Sequence, residues 1–285
     1  MQIAILSAGE MGAFVGRELC AAGHTVSTVV AGRGAETVER AEEAGMQVLP
    51  GLVPLLQGAE MVLSILPPAV ARSVAIDIAS TARDAGRDFV FLECNAVSPA
   101  HVQTIAACFE KTGCCFVDGG IVGGPPRGDY RPHLYVSGDI PAGLGEALNP
   151  AFDVRSLGPD IGTASAMKMC YAAMTKGLNS LLAAALLAAG RYRLLDELAA
   201  ELAESQPELL ARAESFVPRL PSDAERWAPE MRFIAECFSA VNVTGQFHLG
   251  AAEILDLLAA SEFGHETRRS RDRHRSACDT VRALI

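Results

Sequence analysis

The sequence lacks the residue patterns of several specialised classes of protein. Its eight cysteines form no C-x-x-C pair and no cysteine–histidine spacing typical of zinc ligands, so neither a disulfide framework nor a metal site is expected. Positive charge is scarce as well, since 24 lysines and arginines against 34 aspartates and glutamates give a net charge of −10. Nucleic acids and anionic membranes would be repelled, so neither is an expected partner.

Targeting and membrane-spanning segments are not expected either. No basic residue precedes the apolar run at the start of the chain, which argues against a signal peptide. The apolar uncharged stretch 177–190 is about 14 residues long and no uncharged stretch exceeds 16 residues, whereas a membrane-spanning helix needs roughly 20. Half of the residues are hydrophobic and a fifth are charged, which is enough apolar material for a buried core. Together these features predict a globular cytoplasmic protein.

Short apolar segments alternate with helical ones over the first 160 residues. Strands are predicted at 2–7, 25–30, 61–66, 89–93 and 114–118. Helices are predicted between them, with bounds near 11–19, 35–44, 69–85 and 99–111. Because the strands are continuously apolar, they indicate a parallel sheet covered by helices on both faces. We therefore expect an α/β Rossmann dinucleotide-binding domain over residues 1–160.

The pattern changes near residue 160, where strands stop alternating with helices. Residues 164–191 are rich in Ala, Leu and Met and apolar on nearly all sides, which predicts a long buried helix. Further helices are predicted over 194–203, 207–217, 223–240 and 247–261. We expect an all-α domain over residues 161–285. Given the negative net charge, its arginine-rich segment 268–275 is interpreted as a solvated helix face and not as a nucleic-acid-binding tail.

A candidate phosphate-binding loop lies between the first predicted strand and the first helix. It reads Ser7-Ala8-Gly9-Glu10-Met11-Gly12, at the place where a dinucleotide-binding fold carries G-x-G-x-x-G. Gly9 would let the backbone approach a pyrophosphate, Gly12 would let the helix pack on the strand, and the helix N-terminus would hold the anion. Ser7 replaces the first glycine, so the motif alone also fits a tight turn in any α/β fold.

The end of the second predicted strand bears on which dinucleotide is bound. An NAD site usually places an acidic residue there, on the ribose 2′-hydroxyl. In this chain Gly32 and Arg33 follow the strand, and no acidic residue precedes Glu36. Because an arginine can fork onto a 2′-phosphate, the segment favours NADP(H) over NAD(H). An ordinary exposed loop arginine is the alternative interpretation.

Several stretches in a specific order make the chain resemble the β-hydroxyacid dehydrogenase family, which includes 3-hydroxyisobutyrate and 6-phosphogluconate dehydrogenases. These stretches are 32–33 with 40–41, 93–99, 118–124, 162–177 and 226–231. The resemblance extends over most of the chain. It is strongest to a branch that joins the NADP-binding domain to a distinct helical C-terminal domain.

The resemblance implies roles for individual residues. The family's catalytic lysine falls on Lys168, and the Gly-Gly whose backbone binds the substrate carboxylate falls on Gly123-Gly124. Asn95 matches a position near the nicotinamide ribose and the substrate, and Ser98 follows it as a further substrate contact. A turn that lines the cofactor cleft is matched by Leu66, Pro67 and Pro68.

Lys168 opens a long apolar helix, where a lysine is costly to bury unless it has a use or a partner. Beside a nicotinamide its ammonium would hydrogen-bond a substrate oxygen and move a proton as hydride moves. The alternatives are a lysine that reaches solvent along its stem and a role for Lys176, two turns later, in its place. The chain departs from the family pattern at Val122, where serine is common, and at Ala172, where asparagine is common.

Four other side chains have less specific interpretations. His133 and His248 are expected to be structural histidines, and Trp227 a core or interface anchor. Asp118 is expected to end a strand at the carboxyl edge of the sheet, as a ligand contact or a turn cap.

The resemblance implies an NADP(H)-dependent oxidoreductase that transfers a hydride to or from a small carboxylate-bearing hydroxy or keto substrate. The departure at Ala172, where the family's asparagine would orient the substrate, argues against the usual small hydroxyacids. An imine or ketimine reductase on the same scaffold and a nucleotide-binding protein without catalysis remain as alternatives. By analogy, we also expect a homodimer joined through the helical domain.

Overall fold

A computed structural model describes residues 1–267 and 270–285 of the chain. Within these residues the chain divides into two compact units, Met1–Met169 and Cys170–Ile285. The division follows residue 169, whereas the change in sequence pattern puts the boundary after residue 160. Arg268 and Arg269, which belong to the arginine-rich segment, lie outside the described residues.

The first unit, residues 1–169, is described throughout and is built on one mixed sheet. Its strands are β1 Gln2–Ile5, β2 Thr25–Thr28, β3 Gln47–Val48, β4 Met61–Ser64, β5 Val90–Glu93, β6 Cys115–Val122, β7 His133–Gly138 and β8 Asp153–Ser156. Its helices are α1 Glu10–Ala21, α2 Ala35–Glu43, α3 Leu52–Gly58, α4 Pro68–Ala85, α5 Pro99–Ala106 and α6 Leu144–Leu148. The strand order is β3-β2-β1-β4-β5-β6-β7-β8.

The Rossmann-like α/β fold expected from the sequence is confirmed, with one correction to the sheet. The five predicted strands, β1, β2, β4, β5 and β6, pair in parallel as expected, and so does the unpredicted β3. The unpredicted β7 runs antiparallel to β6, and the unpredicted β8 is parallel to β7. The link from β6 to β7 is a short hairpin, which is too short for the crossover helix that a parallel pair requires. Strand β6 also extends to Val122, beyond its predicted end at residue 118.

Successive side chains of a strand point to opposite faces of the sheet, and in this sheet both faces are buried. Ile3, Ile5 and Leu63 lie in a core cluster on the face that also receives α1 and α6. Val62 and Phe91 belong to a second cluster on the opposite face, under α3, α4 and α5. This two-sided burial explains why the central strands read as continuous apolar runs.

The described residues of the second unit are helical, as predicted. The helices are α7 Thr163–Arg191, which begins in the first unit, α8 Leu195–Ser205, α9 Pro207–Phe216, α10 Leu220–Ala240, α11 Gln246–Ala259 and α12 Ala277–Arg282. The described part of the arginine-rich segment is not the solvated helix face expected from the sequence. Arg275 there is largely buried, forms an ion pair with Glu266 and places its guanidinium 3.8 Å from the centroid of the Phe263 ring.

Helix α7 is only partly buried, which corrects the expectation of a helix covered on all sides. Within the chain, Met174 is 70% exposed and Leu181 is 64% exposed. Among the described residues, α7 is also the one helix long and apolar enough to cross a membrane by length and composition. The same test is passed by core helices of soluble proteins, so this property by itself is weak evidence for a membrane span.

Candidate active site at the carboxyl edge of the sheet

The predicted phosphate-binding loop joins β1 to α1, as the motif requires. At Gly12 a β-carbon would lie 2.0 Å from the carbonyl oxygen of Ser7, so only glycine lets the helix pack this closely on the loop. At Gly9 the nearest atom to a β-carbon would be Ser7 Oγ at 3.8 Å, which leaves room for a ligand. No side chain of the described residues caps the N-terminal end of α1. Its first N–H groups therefore remain available to an anion.

The other loop residues support this helix end. Ala8 is fully buried, and Met11 packs against the core of the first unit. Glu10 lies in the first turn of α1, where its Oε1 is 3.5 Å from Nη2 of Arg127. This ion pair offsets the negative charge that Glu10 brings to a helix end expected to receive a phosphate.

Arg33 lies in the turn that follows β2. Its N–H donates to the carbonyl of Val30 at 2.9 Å, and Gly32 before it has a φ of +72°, in the left-handed region that favours glycine. Arg33 is exposed. The next acidic residue, Glu36, forms an ion pair with Arg40 on α2. The turn therefore presents a guanidinium, while the carboxylate nearest in sequence is engaged elsewhere.

Asn95 connects the carboxyl ends of β4 and β5. Its Nδ2 donates to Ser64 Oγ at 2.8 Å, and its Oδ1 accepts a hydrogen bond from the N–H of Leu66. The residue is only 2% exposed. Asn95 thus holds the turn in which Pro67 precedes α4 and Pro68 is its first residue. Whether this amide also meets a nicotinamide ribose stays a prediction.

Two predicted substrate contacts lie at the same edge of the sheet, which is the carboxyl end of β5 and β6. Ser98 is buried, and its Oγ caps α5 by accepting from the N–H of His101 at 3.2 Å. Gly123 has a φ of +125°, and a β-carbon there would lie 2.3 Å from Tyr130 Oη. Gly124 is exposed beside it. The glycine pair therefore opens the β6–β7 hairpin with its backbone accessible, and its binding role stays a prediction.

The Asp118 carboxylate accepts hydrogen bonds from the start of α7. It does not end its strand, as the sequence suggested, but lies fully buried within β6. Its Oδ2 accepts from the N–H groups of Gly162 and Ser165 at 2.9 and 3.1 Å and from Ser137 Oγ at 3.0 Å. Its Oδ1 accepts from Ser165 Oγ at 2.6 Å. A carboxylate at a helix N-terminus also interacts favourably with the helix dipole, so Asp118 sets where α7 begins.

Glycine on β6 lets α7 pack directly against the sheet. A β-carbon at Gly120 would lie 2.5 Å from the carbonyl oxygen of Ala164 and 3.2 Å from Cβ of Lys168. From this position Lys168 Nζ donates to the carbonyl of Cys94 at 3.0 Å. Cys94 follows β5 and precedes Asn95. The structure therefore brings Lys168, half-buried, to the same sheet edge as the Asn95 amide.

Glu93 is the acidic residue of this edge that sequence reasoning did not assign to a role. It is the last residue of β5, is 1% exposed and pairs with Asp118 across the β5–β6 ladder. Its Oε1 accepts from the N–H of Asn95 at 2.9 Å. Burial raises the pKa of the Glu93 carboxyl to about 7, against the lowering effects of the Asn95 N–H, the nearby Ser64 hydroxyl and the charge of Lys168. The sequence signal that could have identified Glu93 is an acidic residue at the end of an otherwise apolar strand.

In the second unit, Lys176 has a different environment. It forms an ion pair with Glu230 of α10, and the two side chains are 17% and 11% exposed. Its ammonium lies 5.0 Å from the centroid of the Trp227 ring. Burial lowers the pKa of Lys176, while the Glu230 carboxylate opposes that change. Trp227 and Glu230 both belong to the C-terminal stretch that carried the family resemblance.

His133 and His248, the two histidines considered in the sequence, each have neighbours within their own unit. His133 Nε2 lies 3.3 Å from Asp153 Oδ2 at the β7–β8 side of the sheet. His248 lies in the second unit, with its ring centroid 4.4 Å from that of Phe238, and burial lowers its pKa. All eight cysteines are free thiols. Within the residues described by the structure, no group of three or more His, Cys, Asp or Glu side chains is arranged to hold a metal ion.

The family model for the NAD-binding domain of 6-phosphogluconate dehydrogenase matches residues 2–154, more than half of the chain. The chain belongs to this family. Residues 189–258 match a second model, a domain of unknown function (DUF1932). The 6-phosphogluconate dehydrogenase-like unit is therefore a dinucleotide-binding domain, and the recognition made from the sequence is confirmed. No curated protein shows significant sequence similarity to the chain.

Solved structures with the same fold extend over nearly the whole chain. The conserved protein MTH1747, of unknown function and with structural similarity to 3-hydroxyacid dehydrogenases, is 25% identical, with 91% of this chain and 97% of that one covered and a TM-score of 0.66. Mycobacterium tuberculosis 3-hydroxyisobutyrate dehydrogenase is 19% identical, with coverage of 99% and 98% and a TM-score of 0.68. A reductive aminase from Aspergillus terreus is 15% identical, with 98% of each chain covered and a TM-score of 0.58. At these low identities the last two likenesses show the fold alone.

Proposed function

We propose that this chain is an NADP(H)-dependent oxidoreductase that transfers a hydride to or from a small carboxylate-bearing hydroxy or keto substrate, with Lys168 as general acid and base. The observation that carries the proposal is the place of Lys168. Its ammonium lies at the carboxyl end of β5, held 3.0 Å from the Cys94 carbonyl, where ligands of parallel α/β sheets bind.

The residues around the loop fit a dinucleotide. The uncapped start of α1 and the open position at Gly9 suit a pyrophosphate, and the exposed Arg33 suits a 2′-phosphate. The Leu66–Pro67 turn leaves the sheet beside this loop, because the N–H of Leu6 donates to the carbonyl of Leu63 at 3.1 Å. When bound, the nicotinamide supplies or accepts the hydride.

Residues of this chain would bind the substrate and transfer the proton. Lys168 would donate a proton from Nζ to the substrate oxygen during reduction and take it back during oxidation. The accessible N–H groups of Gly123 and Gly124 would bind the carboxylate as an anion nest. Val122 and Ala172 offer no polar side chain, so the substrate is expected to differ from the usual small hydroxyacids of the family.

A fluorescence titration with NADPH and NADH tests the cofactor proposal. We expect NADPH to bind at least about tenfold more tightly, and Arg33→Ala to remove most of that preference, since a charge-assisted phosphate contact is worth roughly 1.5–3 kcal/mol. Arg83→Ala, at an exposed arginine of α4, is the matched control and should leave both affinities unchanged. Equal affinity for the two nucleotides in the wild type would contradict the Arg33 assignment.

Turnover on a panel of keto acids and cyclic imines tests the chemistry. We expect Lys168→Gln to lower turnover by about 10²- to 10⁴-fold with NADPH affinity unchanged, whereas Lys111→Gln, at an exposed lysine, leaves both unchanged. A faster reaction on imines than on keto acids would favour the imine reductase alternative. If the protein binds NADPH tightly but reduces nothing in the panel, the nucleotide-binding alternative without catalysis is favoured.

We also propose that two copies of the chain associate through the helical unit. Tyr171, Met174 and Leu181 share one face of α7 and are all exposed within the chain. Exposed apolar side chains along one helix face favour burial against a partner. Light scattering should give twice the 30.0 kDa chain mass. The double variant Met174→Glu/Leu181→Glu should give the monomer mass, while Ile76→Glu, on α4, should not; a monomeric wild type would exclude the dimer.

A further inference from the structure

The buried carboxyl of Glu93 is only half satisfied. Its Oε1 accepts from the N–H of Asn95, but Oε2 is buried and has no hydrogen-bond partner among the residues that the structure describes. A buried carboxylate oxygen without a partner carries a large desolvation cost. Asp118, its neighbour across the ladder, accepts four hydrogen bonds and carries no such cost. The desolvation cost at Glu93 therefore indicates that its carboxyl has a function beyond the structural one that Asp118 performs.

Glu93 lies next to the groups that hold Lys168. The peptide that follows it carries the Cys94 carbonyl, which accepts from Lys168 Nζ at 3.0 Å, and the next residue, Asn95, binds the Glu93 carboxylate through its N–H. The Glu93 side chain therefore folds back over the short segment that positions the lysine. Its negative charge and the ammonium of Lys168 also interact electrostatically.

The titratable groups near the Glu93 carboxyl come from α7, from β6 and from the residue that follows β5. Lys168 approaches from α7, Asp118 from β6, and Cys94 directly follows Glu93. Burial raises the pKa of the Cys94 thiol, with the carboxylates of Glu93 and Asp118 acting in the same direction, so the thiol stays neutral through the physiological range. The charge of Lys168 acts on Glu93 against burial, because it lowers the pKa of the Glu93 carboxyl.

We infer that Glu93 is a positioning residue for Lys168: its buried carboxylate holds the segment whose Cys94 carbonyl binds the lysine, and its negative charge keeps the lysine protonated. The inference rests on the proposed function for its meaning, since it describes how the general acid of that reaction is kept charged. With a pKa near 7, the carboxyl changes its own charge in the range where the reaction would run.

The chain allows a direct test because it contains three lysines, Lys111, Lys168 and Lys176. Trace acetylation with acetic anhydride across neutral to alkaline pH, followed by peptide mass spectrometry, gives a midpoint for the reactivity of each lysine. Cofactor-free protein is used, so neither substrate nor turnover is needed. Exposed Lys111 serves as an internal control in every sample.

In Glu93→Gln we expect the midpoint for Lys168 to fall by about one pH unit, because the amide keeps the shape and the Asn95 contact but removes the charge. The midpoint for Lys111 should not move. Glu93→Asp, which keeps the charge, should restore most of the wild-type midpoint. An unchanged Lys168 midpoint in Glu93→Gln, or equal shifts in the glutamine and aspartate variants, would overturn the inference.

A reciprocal measurement covers the case in which Glu93→Gln does not fold. In protein labelled with ¹³C at the glutamate carboxyls, one resonance should titrate near pH 7, and Lys168→Gln should move that titration to higher pH, since linked charges affect each other equally. No movement would overturn the inference. Turnover separates the two proposals: a Lys168 midpoint that depends on Glu93 in a chain that reduces no substrate rejects the proposed function alone.

Discussion

The two lysines of α7 lie in different units and differ in the groups that contact their ammonium. Lys176, in the helical unit, is paired with the Glu230 carboxylate and lies over the Trp227 ring. Lys168, in the α/β unit, is held by a backbone carbonyl, that of Cys94, with the Glu93 carboxyl close by. The charge of Lys176 is thus neutralised by a carboxylate in direct contact. The ammonium of Lys168, which donates to a neutral carbonyl, is the one proposed above to transfer a proton.

The two lysines are also expected to contribute differently to the stability of the fold. An ion pair in a packed helical unit costs stability when one partner is lost, because the other charge stays buried. At the sheet edge the geometry of the lysine comes from backbone contacts and from Asp118, which sets the start of α7. Lys168 itself is therefore expected to contribute little to folding.

The largest effect on stability is expected at the start of α7. Asp118→Ala removes the acceptor of four hydrogen bonds and leaves two N–H groups and two hydroxyls buried without it, so the free energy of unfolding should fall by about 4 kcal/mol in denaturant titrations. Asp118→Asn, which can still accept from the helix N–H groups, should lose less than half of that. Equal losses would mean that the charge, and not the hydrogen bonds, holds the helix.

Breaking the Lys176–Glu230 pair should cost about 3 kcal/mol at neutral pH, measured as unfolding of Glu230→Gln. Burial lowers the pKa of Lys176, and loss of the carboxylate lowers it further. The variant should therefore regain stability as pH rises, because the unpaired lysine can lose its proton. Glu225→Gln, at an exposed position of α10, should change stability by less than about 0.5 kcal/mol. A loss that does not shrink at alkaline pH would contradict a buried ammonium as its cause.

The pH dependence of stability should distinguish Glu93 from the other buried carboxylates. Its folded pKa is raised from 4.5 to about 7, so the folded state holds the proton more tightly than the unfolded state. This contribution is present below pH 4.5 and is lost as pH rises to about 7, with a size of about 3 kcal/mol. Glu93→Gln should flatten this part of the stability–pH curve; a curve identical to the wild type would show that another group is responsible.

The smallest effect on stability is expected for Lys168→Gln, below about 1 kcal/mol, because the side chain is only half-buried and its hydrogen bond to the Cys94 carbonyl joins it to a neutral group. Lys176→Gln, which leaves Glu230 buried without its cation, is the matched comparison on the same helix and should lose clearly more. Thermal unfolding of the two variants side by side measures the difference. Equal losses would remove the distinction between the two lysines.

Sequence reasoning predicted the strands and helices that have strong patterns. The central strands β1, β2, β4 and β5 and the long helices α4, α7 and α10 were found because their apolar residues are continuous or periodic. The short elements β3, α3 and α6 were missed, since a few residues carry too little periodicity, and the strands β7 and β8 were missed as well. The antiparallel pairing of β7 with β6 could not be predicted either, because hydrophobic pattern does not encode strand direction.

For the candidate site, the sequence located Gly12, Asn95 and Lys168 but not the contacts among them. The steric need for Gly12 follows from its motif, and the structure confirms it through the Ser7 carbonyl. The partners of Asn95 are 29 and 31 residues away, at Leu66 and Ser64, so no local pattern could reveal them. Ser98 was predicted as a substrate contact, and in the structure its hydroxyl caps α5.

The amino-acid sequence by itself determined the family, the order of the α/β and helical parts and the lysine at the start of α7, because these depend on motifs and on patterns within a few turns of chain. Only the tertiary structure decided which buried charges are satisfied. Asp118, Glu93 and Glu230 are all acidic residues in apolar surroundings. Distant segments supply the four donors to Asp118 and the ammonium that pairs with Glu230, whereas the donor to Glu93 is the N–H of Asn95, two residues away. Hydrogen bonds and charge pairs act over a few ångströms in space, so their effect is set by folding and not by spacing along the chain.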